Sequence, residues 1–524
     1  MHVETYDASV VPQLKDKILE EGLLFGRTES FPSLVTPSTT NITQKERDDL
    51  IEDFGVAWQL YRTANELYLQ SLAGEIGPQI KNIAEFGLLP QEVQIQRTIA
   101  QTRVEPWSSR IDYISLGDGR KLAEVEWDSD GPGLMLGTQV ALSEVIPFPP
   151  GVESLGNSVD NFRKMIVNGR EGQVVAVNDI GIAFANGEEY MARKYAGTNL
   201  TYVPMLRDRF SDHVFRENGD IFIKTGGRTL KVDFFYLFLN PFSLGAPEGD
   251  RELYPHLIRN FLEEKLWIEI PPNWIYRAKW ALALPFMKEY AHLFPERLRQ
   301  IMPPTALLGR GLNLSHLADY FTGLSGRDIQ FLSGLTSIDD IMKLGKSLRN
   351  SLVIKCASSK GSLHTNSRGV YRPYGGKSLG QLIEFIGQRL ATGEPWVMQQ
   401  FISSKYEIPV YLPDQLDTPH VIDAHARFVI FAGRNATGIY PIGGIGNYGR
   451  DWKISGKEPS VDSFGEVHGT AMTDIRVEKD VRERTKMAEL TGATTNGNAA
   501  KGAVKKQADA ATVRTTGKIM KAAF

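Results

Sequence analysis

A charged hairpin pattern at residues 109–133 constrains this sequence more than any other stretch. The segments Ser-Arg-Ile-Asp-Tyr and Ala-Glu-Val-Glu-Trp each alternate charged with apolar residues, and a Gly-Asp-Gly turn lies between them. A period of two is typical of β-strands, in which every second side chain lies on the same face. The sequence therefore predicts two antiparallel strands joined by a three-residue turn at residues 117–119.

The length of this turn decides which charged residues meet across the hairpin. With three turn residues, Asp112 lies opposite Glu124. Arg110 then lies opposite Glu126, whereas a two-residue turn would put the acids on opposite faces. Acids that share a face repel one another by about 1 kcal/mol or less per cross-strand pair. Mg²⁺ relieves such repulsion, but a solvated sheet face would show the same alternation, so both interpretations stand at this point.

The composition limits the class of protein. A chain of 524 residues exceeds one ordinary hydrophobic core, so two or three domains are expected. Its 42% hydrophobic and 23% charged residues are typical of soluble globular proteins. The net charge of −3 gives no electrostatic case for nucleic acid or an anionic membrane as a partner. The single cysteine, Cys356, excludes an intramolecular disulfide and a thiolate-rich metal site.

The apolar segments are too short for a membrane-spanning helix of about 20 residues. The beginning of the sequence is polar and acidic, unlike a signal peptide. We therefore expect a cytoplasmic protein that makes no membrane contact. The sequence does not indicate an oligomeric state.

Changes of pattern divide the chain into five expected regions. Residues 1–100 are predicted to be mainly helical, and residues 101–170 contain the hairpin followed by a connection at 151–162. Residues 171–250 are predicted to form a small βαβ-like substrate domain. Residues 251–472 begin with helical patterns and become rich in strands, with a further helix predicted at residues 379–391. Residues 473–524 contain few large apolar side chains, which predicts a disordered basic tail.

A lysine followed by a Ser/Gly-rich loop is the strongest feature of the C-terminal half. Lys355 lies at the end of an apolar strand pattern. The loop after it begins with Ser358, Ser359, Lys360 and Gly361. Backbone N–H groups of such a loop can bind phosphate, and a lysine adds a point charge. An ordinary surface loop is the alternative.

Two other nucleotide motifs were considered. Gly-Gly-Lys-Ser at residues 375–378 lacks the first glycine of a P-loop. Gly444, Gly446 and Gly449 match the dinucleotide pattern G-x-G-x-x-G, but no helical pattern follows them. Neither motif therefore predicts a phosphate site.

The order of these segments resembles the synthetase module of glutathionylspermidine synthase and its relatives, a circularly permuted branch of the ATP-grasp ligases. Residues 110–112 (RID) and 121–132 (KLAEVEWDSDGP) are similar to the family's metal motif and the strand before it. Residues 271–295 are similar to its W…NK…FP segment. Residues 353–361 (VIKCASSKG) and 397–401 (VMQQF) are similar to its lysine segment and its hinge. The resemblance covers about residues 100–450.

The resemblance implies a multidomain α+β or α/β fold, namely a circularly permuted ATP-grasp with antiparallel sheets. It also implies that ATP and Mg²⁺ are the cofactors. Residues 101–170 and 251–472 would then form the metal and nucleotide parts of the core. In the implied site, Mg²⁺ is bound by Asp112, Glu124 and Glu126, and the α- and β-phosphates are bound by Lys279 and Lys355. The γ-phosphate is covered by Ser358, Ser359, Lys360 and Gly361, and the adenine is contacted by Met398, Gln399, Gln400 and Phe401. The charge that builds during the reaction is stabilised by Arg110 or Arg427.

The sequence also departs from the family pattern. Glu126 stands where the family usually has asparagine, and Ala278 where it has the asparagine of its Asn-Lys pair. Ile442 stands at the late arginine, which leaves Arg427 or Arg434 as substitutes. The catalytic amidase domain of bifunctional members has no counterpart. Substrate specificity for glutathione and polyamine is therefore not implied.

Two functions follow from this reading. The first is an ATP-dependent ligase that joins a small-molecule carboxylate to an amine through an acyl phosphate and releases ADP and phosphate. The alternative is a catalytically degenerate ATP-grasp scaffold that binds a nucleotide or a partner. If the acids and lysines are merely solvated, the chain binds no Mg-ATP at all.

Overall fold

A mixed β-sheet lies at the centre of the part of the chain that the structure describes, and hydrophobic clusters cover both of its faces. The computed structural model describes residues 1–24, 31, 33–117, 119–126, 132–180, 184–206, 210–236, 248–309, 317, 320–321, 323–359, 369–373, 379–435, 438–450, 459–463 and 466–479. The predictions for Lys360, Gly361 and the tail beyond residue 479 lie outside these residues.

The strands and helices occur in the following order. The strands are β1 (His2–Thr5), β2 (Ser38–Thr43), β3 (Ser108–Ser115), β4 (Lys121–Glu126), β5 (Val152–Ser154), β6 (Val174–Ile180), β7 (Leu200–Leu206), β8 (Val214–Glu217), β9 (Asp220–Thr225), β10 (Arg228–Lys231), β11 (Phe234–Tyr236), β12 (Trp267–Ile268), β13 (Thr305–Leu308), β14 (Leu352–Cys356), β15 (Val370–Tyr371), β16 (Trp396–Gln400), β17 (Lys405–Leu412), β18 (Gln415–Asn435), β19 (Gly438–Gly449), β20 (Ser460–Val461), β21 (Val467–His468) and β22 (Thr470–Glu478). The α-helices are α1 (Val10–Glu20), α2 (Gln44–Ala73), α3 (Gln79–Ala84), α4 (Pro90–Thr102), α5 (Pro132–Val145), α6 (Ser158–Val167), α7 (Ala185–Lys194), α8 (Phe210–His213), α9 (Glu248–Leu262), α10 (Glu296–Ile301), α11 (Gly326–Ser333), α12 (Lys346–Asn350) and α13 (Leu379–Ala391). Segments of 3₁₀ helix include Trp274–Arg277, Lys279–Phe286, Ala291–Leu293 and Ile338–Lys343.

Within the described residues the large sheet has nine strands. Its order is β1-β2-β22-β19-β18-β3-β4, with β17 added beside β18 and β5 beside β22. Strands β2 and β22 run parallel, and the other neighbours run antiparallel. The chain is thus a mixed α/β protein with a large mixed sheet.

Smaller sheets flank this one. A four-stranded sheet of order β13-β16-β14-β15 contains Lys355 and the predicted hinge. A second four-stranded sheet has the order β12-β11-β6-β7, in which β6 and β7 run parallel on either side of α7 in the chain. Strands β8 to β10 form a meander, and β20 pairs with β21. None of the helices that the structure describes is long and apolar enough to cross a membrane.

The acidic hairpin is formed by β3 and β4 with the predicted pairing. Asp112 lies opposite Glu124, and Arg110 lies opposite Glu126. A backbone hydrogen bond of 3.0 Å closes the turn between residues 117 and 120, although the ladder is irregular beside Tyr113. The period of two therefore keeps the three acids on one face of this hairpin.

The other face of the hairpin is apolar and holds the strands against α2. Ile111, Tyr113 and Val125 are buried in the same core cluster as the apolar side chains of α2. The hydroxyl of Tyr61 donates to the carbonyl of Val125 at 3.3 Å. Burial of this face leaves the acids no alternative orientation, because a slip of one residue would expose the apolar side chains.

Helix α2 begins with a capping box. The N–H of Glu46 donates to Oγ1 of Thr43 at 3.2 Å, and the N–H of Thr43 donates to Oε2 of Glu46 at 2.7 Å. Replacing Thr43 with alanine removes one of these bonds, and we expect the free energy of unfolding to fall by about 1 kcal/mol. Chemical denaturation measures this loss. Thr63→Ala, within the same helix, is the control and should not destabilise the protein.

Two stretches differ from the predictions. Residues 151–162, predicted to be a connection, contain β5 and the start of α6. The side chain of Asn157 caps α6 by accepting from the N–H of Asp160 at 3.2 Å, a pattern that the sequence contains. The predicted tail begins too early, because residues 473–478 belong to β22, where Ile475 and Val477 are buried.

A buried arginine joins β22 to the segment after α5. Arg476 is fully buried, and its Nε donates to Oδ2 of Asp474 at 3.0 Å. Its terminal nitrogens donate to the carbonyls of Ile146 at 2.7 Å and Pro147 at 2.8 Å. Gln139 of α5 donates to the other oxygen of Asp474 at 3.1 Å. Burial raises the pKa of Asp474 to about 6, although Arg476 opposes this shift.

The glycine-rich strand β19 lies inside the large sheet, between β18 and β22. A Cβ on Gly446 would lie 2.5 Å from Oγ1 of Thr473 and 2.9 Å from Oγ1 of Thr40. A Cβ on Gly443 would overlap the side chain of Gln139. Close packing thus explains Gly446 of the G-x-G-x-x-G match and the neighbouring Gly443.

Candidate active site

Three carboxylates converge at the hairpin. One oxygen of each of Asp112, Glu124 and Glu126 lies within 4.8 Å of the others, and Asp112 is buried. Oε1 of Glu124 is buried and accepts no hydrogen bond in the described part of the protein. Several carboxylate oxygens at this spacing form the donor set that Mg²⁺ prefers. The residues present therefore fit a hard divalent cation.

Cations contact each of these acids. Nε of Arg110 lies 3.1 Å from Oδ1 of Asp112, and the same guanidinium forms an ion pair with Glu126. Nζ of Lys279 lies 2.6 Å from Oε1 of Glu124, without the alignment of a hydrogen bond. The three acids therefore remain close together because positive charges offset their repulsion.

Two more cations come from distant parts of the chain. Arg427 of β18 forms an ion pair with Asp112, because β18 pairs with β3 and places both side chains on one face. Lys355 lies at the end of the smaller sheet, and its Nζ donates to the carbonyl of Ala123 on β4 at 3.4 Å. Four cations thus surround three carboxylates, so the site has an excess of positive charge when all groups are ionised.

The pKa shifts reflect this arrangement. Burial alone would raise the pKa of Glu124, but Lys279 and Lys355 outweigh burial and hold that pKa well below its usual range. Burial raises the pKa of Glu126 to about 7, because repulsion from Glu124 and Asp112 adds to burial while Arg110 opposes both. Glu124 is therefore an anion at neutral pH, and Glu126 is only partly ionised.

The two lysines are shifted in opposite directions. Burial lowers the pKa of Lys355, and Lys279 and Arg427 lower it further, whereas Glu124 raises it. Burial also acts on Lys279, but its ion pair with Glu124 outweighs burial and raises the pKa. Lys355 is therefore the lysine that loses its proton more easily.

A cavity of about 120 Å³ lies between the hairpin and the smaller sheet. Its lining contains the predicted residues Asp112, Glu124, Lys355, Gln399, Gln400, Phe401 and Arg427. Sequence reasoning missed the other lining residues, which are Ile114, Ala123, Val353, Val370, Ile402, Ser403, His425 and Ala426. Most of them adjoin a predicted residue, or lie two positions from one on the same strand face, as His425 does beside Arg427. A cavity of this volume can hold one part of a nucleotide.

Some predicted residues lie elsewhere. Met398 is buried in the hydrophobic core and is not among the lining residues of the cavity. Ser358 and Ser359 are buried just after β14 and are not among the lining residues of the cavity. Arg434, the alternative to Arg427, forms an ion pair with Glu105 instead.

No family model and no curated protein matches this chain. A glutathione synthetase-like effector from Globodera pallida, in its apo form, is similar over 89% of this chain and 96% of its own, with 12% identity and a TM-score of 0.49. A gamma-glutamylcysteine synthetase-like protein from Methylobacillus flagellatus is similar over 75% of this chain and 87% of its own, with 10% identity and a TM-score of 0.34.

A RiPP-associated ATP-grasp ligase from Chryseobacterium gregarium, in complex with ADP and a leader and core peptide, is similar over 52% of this chain and 87% of its own. Its identity is 9% and its TM-score is 0.22. TM-scores below 0.5 do not establish a shared fold, so neither the fold nor the activity of this chain follows from these similarities.

Proposed function

We propose that this chain is an ATP-dependent carboxylate–amine ligase that resembles the circularly permuted ATP-grasp family of glutathionylspermidine synthase. One observation carries this proposal: three carboxylates suited to Mg²⁺ and four cations suited to a polyphosphate form one cluster, and four of its residues, Asp112, Glu124, Lys355 and Arg427, line the cavity. A solvated sheet face would not bury Asp112 or bring Lys279 and Arg427 onto it from distant segments.

The residues divide into four groups by the part of the ligand that they would contact. Asp112, Glu124 and Glu126 would hold Mg²⁺, which when bound would offset the negative charge of the phosphates. Lys279 and Lys355 would bind phosphate oxygens. Gln399, Gln400 and Phe401 would contact the adenine, and Ser358, Ser359, Lys360 and Gly361 are proposed to close over the γ-phosphate.

The proposed reaction has two steps. A carboxylate oxygen of the first substrate attacks the γ-phosphorus, the bond to the leaving ADP oxygen breaks, and an acyl phosphate forms. The amine of the second substrate then attacks the acyl carbon, phosphate leaves with the C–O bonding electrons, and the amine nitrogen loses a proton. Arg110 or Arg427 would stabilise the charge on the reacting oxygens, and loss of such a donor typically costs about 3 kcal/mol.

Product analysis tests this proposal. The full-length chain is incubated with ATP, Mg²⁺ and a panel of amino acids, small peptides and amines. Formation of ADP and phosphate only when both a carboxylate and an amine are present supports it. Formation of AMP and pyrophosphate would contradict the acyl phosphate, and full activity of Glu124→Ala would contradict the metal assignment.

The alternative function, a catalytically degenerate scaffold, has its own outcome. Glu126 stands where the family usually has asparagine, and Ile442 stands at the family's late arginine, so two site positions differ from the family pattern. Calorimetric binding of Mg-ATP without turnover of any substrate pair would support this alternative. The contact of Arg427 with Asp112 favours the ligase, because it supplies a cation where the reaction requires one.

The lowered pKa of Lys355 predicts how nucleotide affinity depends on pH. A lysine is charged below its pKa and neutral above it, so the affinity of the wild type should fall as the pH rises toward the lowered pKa of Lys355. Lys355→Arg should keep its affinity at alkaline pH, since arginine does not lose its proton there. Lys355→Met should bind weakly at every pH. Calorimetry between about pH 7 and 10 measures this, and identical profiles for the wild type and Lys355→Arg would contradict it.

A further inference from the structure

The acids and the cations of the candidate site are counter-ions of one another. Lys279 contacts Glu124 at 2.6 Å, and Arg427 contacts Asp112. Arg110 lies between two acids and pairs with both of them. The carboxylate oxygens that would bind a divalent cation therefore contact the lysine and arginine side chains that would bind a polyphosphate.

This arrangement opposes the entry of either ligand alone. Mg²⁺ alone would have to separate Lys279 from Glu124 and would leave a buried ammonium beside a second positive ion. A nucleotide without metal would draw the lysines away and would face uncompensated carboxylates. Leaving one member of a buried ion pair without its partner is strongly unfavourable.

Entry of both ligands removes this cost. The phosphates then replace the carboxylates as partners of Lys279 and Arg427, and they accept from Lys355, which in this structure donates to the carbonyl of Ala123. The metal replaces Lys279 and Arg427 as the partner of Glu124 and Asp112. These four charged groups thus keep an opposite charge in contact.

We propose that Mg²⁺ and the nucleotide bind this site by exchange of counter-ions, so that each ligand binds weakly alone and strengthens the binding of the other. This inference rests on the proposed ATP-binding function. Because allosteric coupling between ligands is typically 5- to 150-fold, we expect each ligand to increase the affinity of the other by about tenfold or more. It also follows that neutralising one of the cations increases the affinity for Mg²⁺. Neutralising one of the acids increases the affinity for the nucleotide.

Lys279→Met tests the metal side. Free Mg²⁺ is titrated calorimetrically into the full-length chain without nucleotide, and we expect the variant to bind Mg²⁺ about tenfold more tightly than the wild type. Lys405→Met is the matched control, because it also removes a lysine from an ion pair, an exposed one with Asp423 at 2.8 Å. A purely structural role of Lys279 would not increase Mg²⁺ affinity.

Glu124→Gln tests the nucleotide side. ADP is titrated in the presence of EDTA, and we expect the variant to bind metal-free ADP about tenfold more tightly than the wild type, while Mg²⁺ no longer strengthens binding. The control is Asp423→Asn, which removes the acid of the same exposed pair. Thermal unfolding of each variant verifies that it is folded.

The outcomes separate this inference from the proposed function. If Mg-ADP binds but the two ligands bind the wild type independently, counter-ion exchange is wrong and the nucleotide site stands. If neither ligand binds in any combination, both are wrong. If one variant does not fold, two measurements remain: the effect of Mg²⁺ on ADP affinity in the wild type, and the increase in ligand affinity of the other variant. Absence of both effects would contradict counter-ion exchange.

Discussion

Asp112→Asn is expected to lower Mg²⁺-dependent formation of ADP about 100-fold or more. Asp112 is the most buried of the three acids, at 2% exposure, and it contacts both Arg110 and Arg427. Asparagine keeps the shape of the side chain but removes its charge. The variant therefore loses a proposed metal ligand and leaves two guanidinium groups without their shared anionic partner. Steady-state assay of ADP release with a productive substrate pair measures the loss.

The control for this variant lies on β18. Asp423→Asn also converts an aspartate to asparagine, but Asp423 is exposed and pairs with Lys405 away from the cavity. It should retain full activity. If Asp112→Asn is folded and keeps half of the wild-type rate or more, Asp112 does not hold the metal.

Arg476→Met is expected to lower the free energy of unfolding by about 3–5 kcal/mol. The guanidinium is fully buried and donates to Asp474 and to the carbonyls of Ile146 and Pro147. Methionine fills much of the volume but leaves the carboxylate of Asp474 buried without its cation. Chemical denaturation followed by circular dichroism measures the loss.

A second variant separates the charge from the packing. In the double variant Asp474→Leu/Arg476→Met no unpaired charge remains, so it should lose less stability than Arg476→Met alone. Lys343→Met, which removes an exposed ion pair of 2.6 Å with Asp340, is the control and should lose less than about 1 kcal/mol. Equal losses in the single and double variants would contradict the role of the buried charge.

Local patterns predicted the parts of this structure that depend on near neighbours. The alternation around Asp112 and Glu124, together with the Gly-Asp-Gly turn, was sufficient for the register of β3 and β4. Likewise, the apolar periodicity at residues 379–391 coincides with α13. In both cases the side-chain period and the turn residues act within a few positions of each other.

Contacts between distant segments could not be read from such patterns. The sequence left Arg427 and Arg434 as substitutes for the late arginine, and the pairing of β18 with β3 brings Arg427 to Asp112. The burial of Arg476 could not be read from its neighbours, because only Asp474 is close in sequence and the carbonyls of Ile146 and Pro147 lie on the segment after α5. Met398 was predicted at the cavity because the motif is contiguous, whereas its side chain packs in the hydrophobic core formed with distant segments.

The tight packing of β19 has a consequence for mutational mapping. Substitutions at Gly443 or Gly446 would force the neighbouring strands and α5 apart, although neither glycine lines the cavity beside the acids. A scan that records only loss of activity would therefore rank this strand beside the catalytic residues. Residual folded protein, measured in the same scan, distinguishes a strand that is intolerant for steric reasons from one that takes part in chemistry.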